Sequence, residues 1–133
     1  MAFMNNELAL SSYNDTGNYG QVDEADGHEL ITLLFDTLTL RITQAKKSIE
    51  ENDINEKIVR LTKALNIIDG LRVSLNHEEG GEIAKNLDDL YDYMQRRLVE
   101  ANATNDISIL IEINSLVDEI KGAWAQIPVE ARK

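Results

Sequence analysis

The side chains best suited to chemistry in this sequence are two histidines, each followed by a glutamate, and one short run of aspartates. His28-Glu29 and His77-Glu78 both begin the helical zinc-hydrolase pattern, in which a second histidine four residues on completes a metal-binding face and the glutamate activates water. Thr32 and Gly81 stand where that second histidine is required, so neither pair completes a site. No Glu-x-x-His pair is present to hold two irons inside a helical bundle. Phosphotransfer would need an exposed histidine in the middle of a helix. His28 lies at a helix start and His77 in a turn, and both are expected to be solvated. Asp88-Asp89-Leu90-Tyr91-Asp92 has the spacing of a magnesium-diphosphate motif, but such sites use two facing copies and no second copy exists. It reads instead as a solvated acidic face opposite Leu87, Leu90 and Met94. Gly80-Gly81 lacks the Lys-Ser/Thr that completes a phosphate loop and reads as a turn. With no cysteine there is no thiolate nucleophile or ligand. These residues predict no catalysis, no metal and no cofactor.

The elements around them must come from 133 residues with 24 acidic against 13 basic side chains, a net charge of −11. That is the size of one acidic domain. A surface of this sign repels phosphate backbones and anionic lipid, which disfavours nucleic acid and membranes as partners. No segment is long enough to span a bilayer, and the N-terminus lacks the basic start and apolar run of a secretory signal. The sequons at Asn14 and Asn102 matter only in a secreted chain, and the absence of cysteine fits a reducing compartment, so the cytoplasm is expected.

Residues 1–24 are polar and rich in Gly, Asn and Ser, with Tyr13 and Tyr19 as isolated aromatics, and are expected to form a flexible arm. From Asp26 the chain turns helical in pattern. Asp26 and Glu29 have capping-box spacing, and Ile31, Phe35, Leu38, Ile42, Ala45 and Ile49 recur at helical steps to near Asn52. Asp53 and Glu56 open a second stripe, Ile54, Ile58, Leu61, Leu65, Ile68 and Leu75, which runs out at Asn76-His77. After Gly80-Gly81 comes a third, Ile83, Leu87, Leu90, Met94, Leu98 and Ala101. Asn102 to Asn105 forms a polar turn, and Ile109, Ile113, Leu116, Ile120, Ala123 and Ile127 form a fourth stripe that Pro128 ends. Four helices of roughly 20 to 26 residues joined by such short links close only as antiparallel neighbours. The expected fold is an all-α, antiparallel up-down four-helix bundle over residues 25–128, with a loose tail at 129–133.

The stripes are wider than one seam requires, because each helix carries a second apolar row about 60 to 100° from the first. Helix one adds Leu30, Leu33, Leu34 and Leu40; helix two adds Ala64, Ile67 and Leu71; helix three adds Tyr91; helix four adds Leu110, Val117 and Trp124. A domain this small has little interior left once four seams are filled. The surplus predicts an apolar groove for another amphipathic helix, with Ile67, Leu71, Tyr91, Leu110, Val117 and Trp124 as partner-binding residues. Tyr91 and Trp124 lead, since large aromatics dominate interface energetics.

The string from Glu79-Gly80-Gly81-Glu82-Ile83-Ala84-Lys85-Asn86-Leu87 through Leu90-Tyr91-Asp92-Tyr93-Met94 to Arg96-Arg97-Leu98-Val99-Glu100-Ala101-Asn102 closely resembles the bacterial flagellar secretion chaperones that bind flagellin, the FliS family. Glu29-Leu30, Leu34-Phe35-Asp36 and Gln44-Ala45-Lys46 resemble the same family's first long helix. Two departures stand out. Asp26-Gly27 replaces the family's usual Ser-Pro at the helix start, and Phe35-Asp36-Thr37 replaces a usual Tyr-Asp-Gly. The resemblance implies a cytoplasmic, non-enzymatic chaperone built as an elongated bundle. It further implies that the C-terminal segment of flagellin wraps the bundle and that a flagellar export gate component is a second partner. The arm with Tyr13 and Tyr19 either covers the groove in the absence of client or docks on the export machinery, and the sequence leaves both open. The competing expectation is a helical homodimer whose spare rows pair with themselves.

Overall fold

The computed structural model describes residues 27–126, which form four helices and no strand. The expectations placed on the arm at 1–24 with Tyr13 and Tyr19, on the cap at Asp26, and on Pro128 and the tail lie outside the described residues. Helix α1 spans Gly27–Glu50, α2 Ile54–Val73, α3 His77–Thr104 and α4 Ile107–Ala125. Each packs against its neighbours in sequence, and α4 closes the ring against α1. Cross-helix bonds fix the directions. Lys57 reaches Asn102 and Asn105 at one end of the α2–α3 seam while Arg72 reaches Asp88 and Asp92 at the other. Asn114 bonds Thr43 and Lys121 pairs with Asp36 along the α4–α1 seam. Residues climb on one helix as they descend on the next, so the up-down antiparallel bundle is the architecture.

Short polar links set this topology. At the end of α1, Asn52 takes a left-handed φ of 59°. Asp53 N–H then bonds Ser48 C=O at 2.8 Å and Asn52 N–H bonds Ile49 C=O at 3.1 Å, a Schellman closure. Asp53 at once caps α2 by accepting from Glu56 N–H at 3.1 Å. Asn105 repeats the device at the end of α3, with φ 56° and its N–H on Ala101 C=O at 2.8 Å, and Asp106 caps α4 through Ser108 N–H at 2.9 Å.

Helix α3 departs from the expected boundaries at both ends. It begins before the Gly-Gly pair, because Asn76 caps it by accepting from Glu79 N–H at 3.0 Å while Glu79 accepts from the Asn76 amide at 3.3 Å. The first turn then bends at Gly81, where φ 50° and ψ −125° leave the helical region before the helix resumes. At the other end α3 runs through Asn102 to Thr104, since Asn105 and not Asn102 takes the left-handed turn.

The core corrects the sequence reading most. Ile67, Leu71, Tyr91, Leu110, Val117 and Trp124, expected on an outward groove, are all buried, and so are Leu30, Leu34 and Ala64. In a ring of four helices each helix faces two neighbours, so its buried arc is centred between the two apolar rows and takes in the second row. It leaves members of both rows outside, Leu40 and Leu33 of the second and several of the first. Ile54, Ile58 and Ile83 are exposed, and Leu65, Leu87, Leu90, Leu116 and Ile120 are half-buried.

Two polar expectations change as well. His28 is buried, because it stacks on Trp124 with ring centroids 4.5 Å apart and 7° between planes. Its Nε2 donates to Trp124 C=O at 2.9 Å, and Trp124 Nε1 donates to His28 C=O at 3.1 Å. His77 is exposed as expected, on the first turn of α3. Asp88 and Asp92 are not a merely solvated face. Arg72 from α2 donates to Asp88 at 2.7 Å, to Asp92 at 3.3 Å and to Gln95 at 2.9 Å. The two aspartates, Asp88 first, hold the guanidinium above its ordinary pKa.

Gly81 yields a direct test of the bend. Nothing lies within 4 Å of a Cβ built there, so a side chain costs only backbone strain. Gly81→Ala is expected to lower stability by about 1–3 kcal/mol in urea unfolding, and an unchanged midpoint would show that the bend is not held.

Candidate functional site

A set of apolar side chains left without full cover borders the seam between α3 and α4. At 100° per residue, Ile83, Leu87, Leu90 and Tyr93 fall on the flank of α3 that also carries Arg97, and Arg97 bonds across to α4. Leu116 and Ile120 fall on the flank of α4 that carries Glu112, the acceptor of the bonds from α3. The antiparallel register set by Tyr93 and Glu112 brings Leu116 level with Leu90, Ile120 level with Leu87, and the last turn of α4 level with Ile83. Ile83 is 61% exposed, and the other five are half-buried. Beneath them lie Ala84, Tyr91, Met94, Ile113 and Val117, a packed floor.

The seam is polar at one end. Tyr93 donates its hydroxyl to Glu112 at 2.6 Å, and Arg97 bonds Glu112 at 3.3 Å and Glu100 at 2.7 Å. The hydrogen bond from Tyr93, with that from Arg97, holds the Glu112 carboxyl below the usual carboxylate range, and the bond to Glu112 pushes the Tyr93 phenol up. From Leu90 to Ile83 no hydrogen bond or ion pair bridges the two helices among the described residues. A second, smaller apolar strip, Ile54, Ile58, Leu65 and Val99, borders the α2–α3 seam.

The six residues expected to bind a partner are not brought together at the surface. Tyr91, Leu110 and Val117 lie under the α3–α4 and α4–α1 faces, Ile67 and Leu71 are interior on α2, and Trp124 is held against His28. Sequence reasoning had put the seam residues Ile83, Leu87, Leu90, Leu116 and Ile120 in the core. Tyr93, with its partner Glu112, was not singled out. Its one legible signal was a tyrosine among charged residues that could reach the next helix.

Nothing in this surface is built for bond chemistry. Tyr91 hydroxyl is buried without a hydrogen-bond partner, and burial alone pushes the phenol up, out of reach of proton transfer near neutral pH. Among the described residues no group of three or more His, Cys, Asp or Glu is placed to hold a metal ion. Among the described residues no helix is long and apolar enough to cross a membrane. What the α3–α4 seam offers is an apolar strip of two to three helical turns, the kind of surface against which another amphipathic helix is laid.

A family model described as "Flagellar protein FliS" matches residues 9–131. The chain is 45% identical over 116 residues to the flagellar secretion chaperone FliSB of Pseudomonas aeruginosa, covering 87% of this chain and 92% of that protein. It is 42% identical over 123 residues to the flagellar secretion chaperone FliS of Salmonella typhimurium, covering 92% and 91%. Against the flagellar secretion chaperone FliS of Bacillus subtilis the identity is 37% over 126 residues, covering 95% and 93%.

The Tyr93 bond carries a pH prediction. A carboxyl whose folded pKa is depressed adds stability that is present above its unfolded value, about 4.3, and is lost as pH falls through the lower folded value. In Tyr93→Phe the NMR titration midpoint of Glu112 is expected to move up toward the ordinary glutamate value. A midpoint that stays put would show that Arg97 alone sets it.

Proposed function

The chain belongs to the FliS family of flagellar proteins and is a flagellar secretion chaperone, and from that premise we propose that it binds the disordered C-terminal segment of flagellin through the α3–α4 seam. A flagellin end segment is amphipathic, made to bury its apolar face against sister subunits. Left bare it would self-associate, and a chaperone that covers that face prevents premature assembly. The observation that carries this reading is the strip Ile83, Leu87, Leu90, Tyr93, Leu116 and Ile120, which four packed helices leave only partly covered above a buried floor.

A surface of this type gives binding that is firm and reversible. Covering about 1,500 Å² of apolar surface along the seam and the α2–α3 strip, at about 25 cal/mol/Å², yields roughly 35 kcal/mol of gross stabilisation. Ordering a disordered client and losing its translational freedom offset most of that. The surplus is compatible with release, which export of an unfolded client requires. The protein works by binding in the cytoplasm and not by catalysis, and it hands the client to a component of the flagellar export gate. Ile67, Leu71, Tyr91, Leu110, Val117 and Trp124 serve this function from beneath, as the packed layer that keeps the strip in shape.

Calorimetry with a flagellin C-terminal peptide tests the reading. Binding is expected with a large negative heat-capacity change and a gain of helix signal. Leu90→Ser is expected to weaken it by about tenfold or more while leaving the melting temperature within a few degrees. Absence of binding at micromolar peptide, or full affinity in Leu90→Ser, would refute it. Sedimentation of the free protein settles the homodimer reading, because a monomer excludes obligate self-pairing.

A further inference from the structure

We infer that the cleft between the α1–α2 and α3–α4 turns binds a primary carboxamide, the side chain of a glutamine or asparagine in a peptide that lies on the α2–α3 strip. The cleft has a volume of about 90 Å³ and is lined from α1 by Ser48 and Ile49, from the start of α2 by Asp53, Ile54 and Lys57, and from the end of α3 by Asn105. That is room for several waters or for the end of one side chain. Ile54 also belongs to the apolar strip with Ile58, Leu65 and Val99, so the strip runs up to the cleft.

Donors line one wall. Lys57 is 7% exposed, and its ammonium has three hydrogens. Two go to the Asn102 carbonyl at 3.0 Å and to Asn105 Oδ1 at 2.8 Å, and the third has no acceptor among the described residues. A desolvated N–H of this kind favours a ligand that brings an acceptor. Because lysine only donates, Asn105 turns its oxygen to Lys57, and its NH2 group, without a partner among the described residues, is directed away from the ammonium. Acceptors line the other wall. Asp53 gives one carboxylate oxygen to Glu56 N–H and has no partner for the other among the described residues, while Ser48 Oγ donates to Gln44 C=O and keeps its lone pairs.

Charge narrows the ligand further. Asp53 stands one turn before Lys57 but forms no ion pair with it among the described residues, so the cleft presents one cation and one anion. The other charges of this pole are engaged or balanced. Lys46 pairs with Glu50, Arg60 with Glu56, Asp106 bonds Ser108 of its own turn, and Lys47 and Glu51 are both exposed and of opposite sign. A carboxylate would meet Asp53, and an ammonium would meet Lys57. A neutral carboxamide answers both walls, its oxygen taking hydrogens from Lys57 and Asn105 and its NH2 donating to Asp53.

This cleft is apart from the α3–α4 seam, so it can fail without touching the flagellin reading. N-acetyl-glutamine methylamide serves as the probe, beside its glutamate and norleucine counterparts, in NMR titrations that follow the Lys57 CεH2 and Asn105 NH2 signals. The glutamine probe is expected to shift both with half-saturation at about 1–10 mM, and the other two to bind about fivefold or more weaker. Asp53→Asn keeps the helix cap but turns the free acceptor into a donor, and is expected to bring the glutamate probe level with the glutamine one. Asn105→Gly keeps the left-handed turn and is expected to weaken the glutamine probe about threefold or more, read at Lys57. Equal affinity for the three probes, shifts that miss Lys57 and Asn105, or a glutamine preference that survives Asp53→Asn overturns the inference. A peptide of about ten residues with leucines beside the glutamine is expected to bind about tenfold tighter than the probe and to lose that gain in Ile58→Ser. Absence of the gain overturns the peptide as the source of the carboxamide.

Discussion

Every helix in this bundle must satisfy two neighbours at once, and the rest of the molecule follows from how the apolar side chains are divided under that demand. A helix facing one partner can bury a narrow stripe, whereas a helix in a ring of four buries the arc between its two flanks. The chain supplies more aliphatic surface than that arc holds. On α1 the surplus is small, Leu33 and Leu40; on α3 and α4 part of it falls on the flanks that face each other, while Val99 lies toward α2. The result is a closed core, filled by Tyr91, Phe35 and Trp124 with the aliphatic residues around them, and a strip alongside it that is apolar but not sealed.

The number, order and direction of the helices were legible from periodicity and capping residues, because both are local properties. Asp53 caps α2 as its spacing with Glu56 indicated. The start of α3 was not legible in the same way, since a Gly-Gly pair looks like a break and the cap at Asn76 is an asparagine outside the strongest apolar pattern. The site failed for a different reason. A helical projection fixes the angle between Leu87 and Tyr91, or between Leu116 and Val117, but not the direction in which the neighbouring helices lie. The aromatic residues were placed outward as anchors, yet a ring that can bury 150 to 250 Å² stabilises a core as readily as an interface. Most of the first row is buried as expected, but the second row, read as the outward groove, is buried with it except at Leu33 and Leu40. Burial of His28 was hidden because it depends on a partner 96 residues away.

Polar contacts divide the two poles of the bundle. At one, Lys57 is buried and donates to the Asn102 carbonyl at 3.0 Å and to Asn105 at 2.8 Å, placing a cation on the negative end of α3 where the last carbonyls need donors. This ties the α1–α2 turn to the α3–α4 turn. At the other pole His28 and Trp124 clasp the first turn of α1 to the last turn of α4. With both poles latched, a partner lies along a seam and has no need to enter between helices. The acid-sensitive Tyr93–Glu112 contact joins α3 to α4 near the Lys57 pole, so the seam is stiffest there and most open beside Gly81.

The clasp also decides how the domain responds to tension. Since α1 begins where α4 ends, a pull between the first and last described residues loads the His28–Trp124 ring stack and its hydrogen bonds in opening mode, together with the remaining contacts of that seam. Such a geometry peels rather than shears. Tension between these two turns is therefore expected to part the seam contact by contact, from the clasp inward.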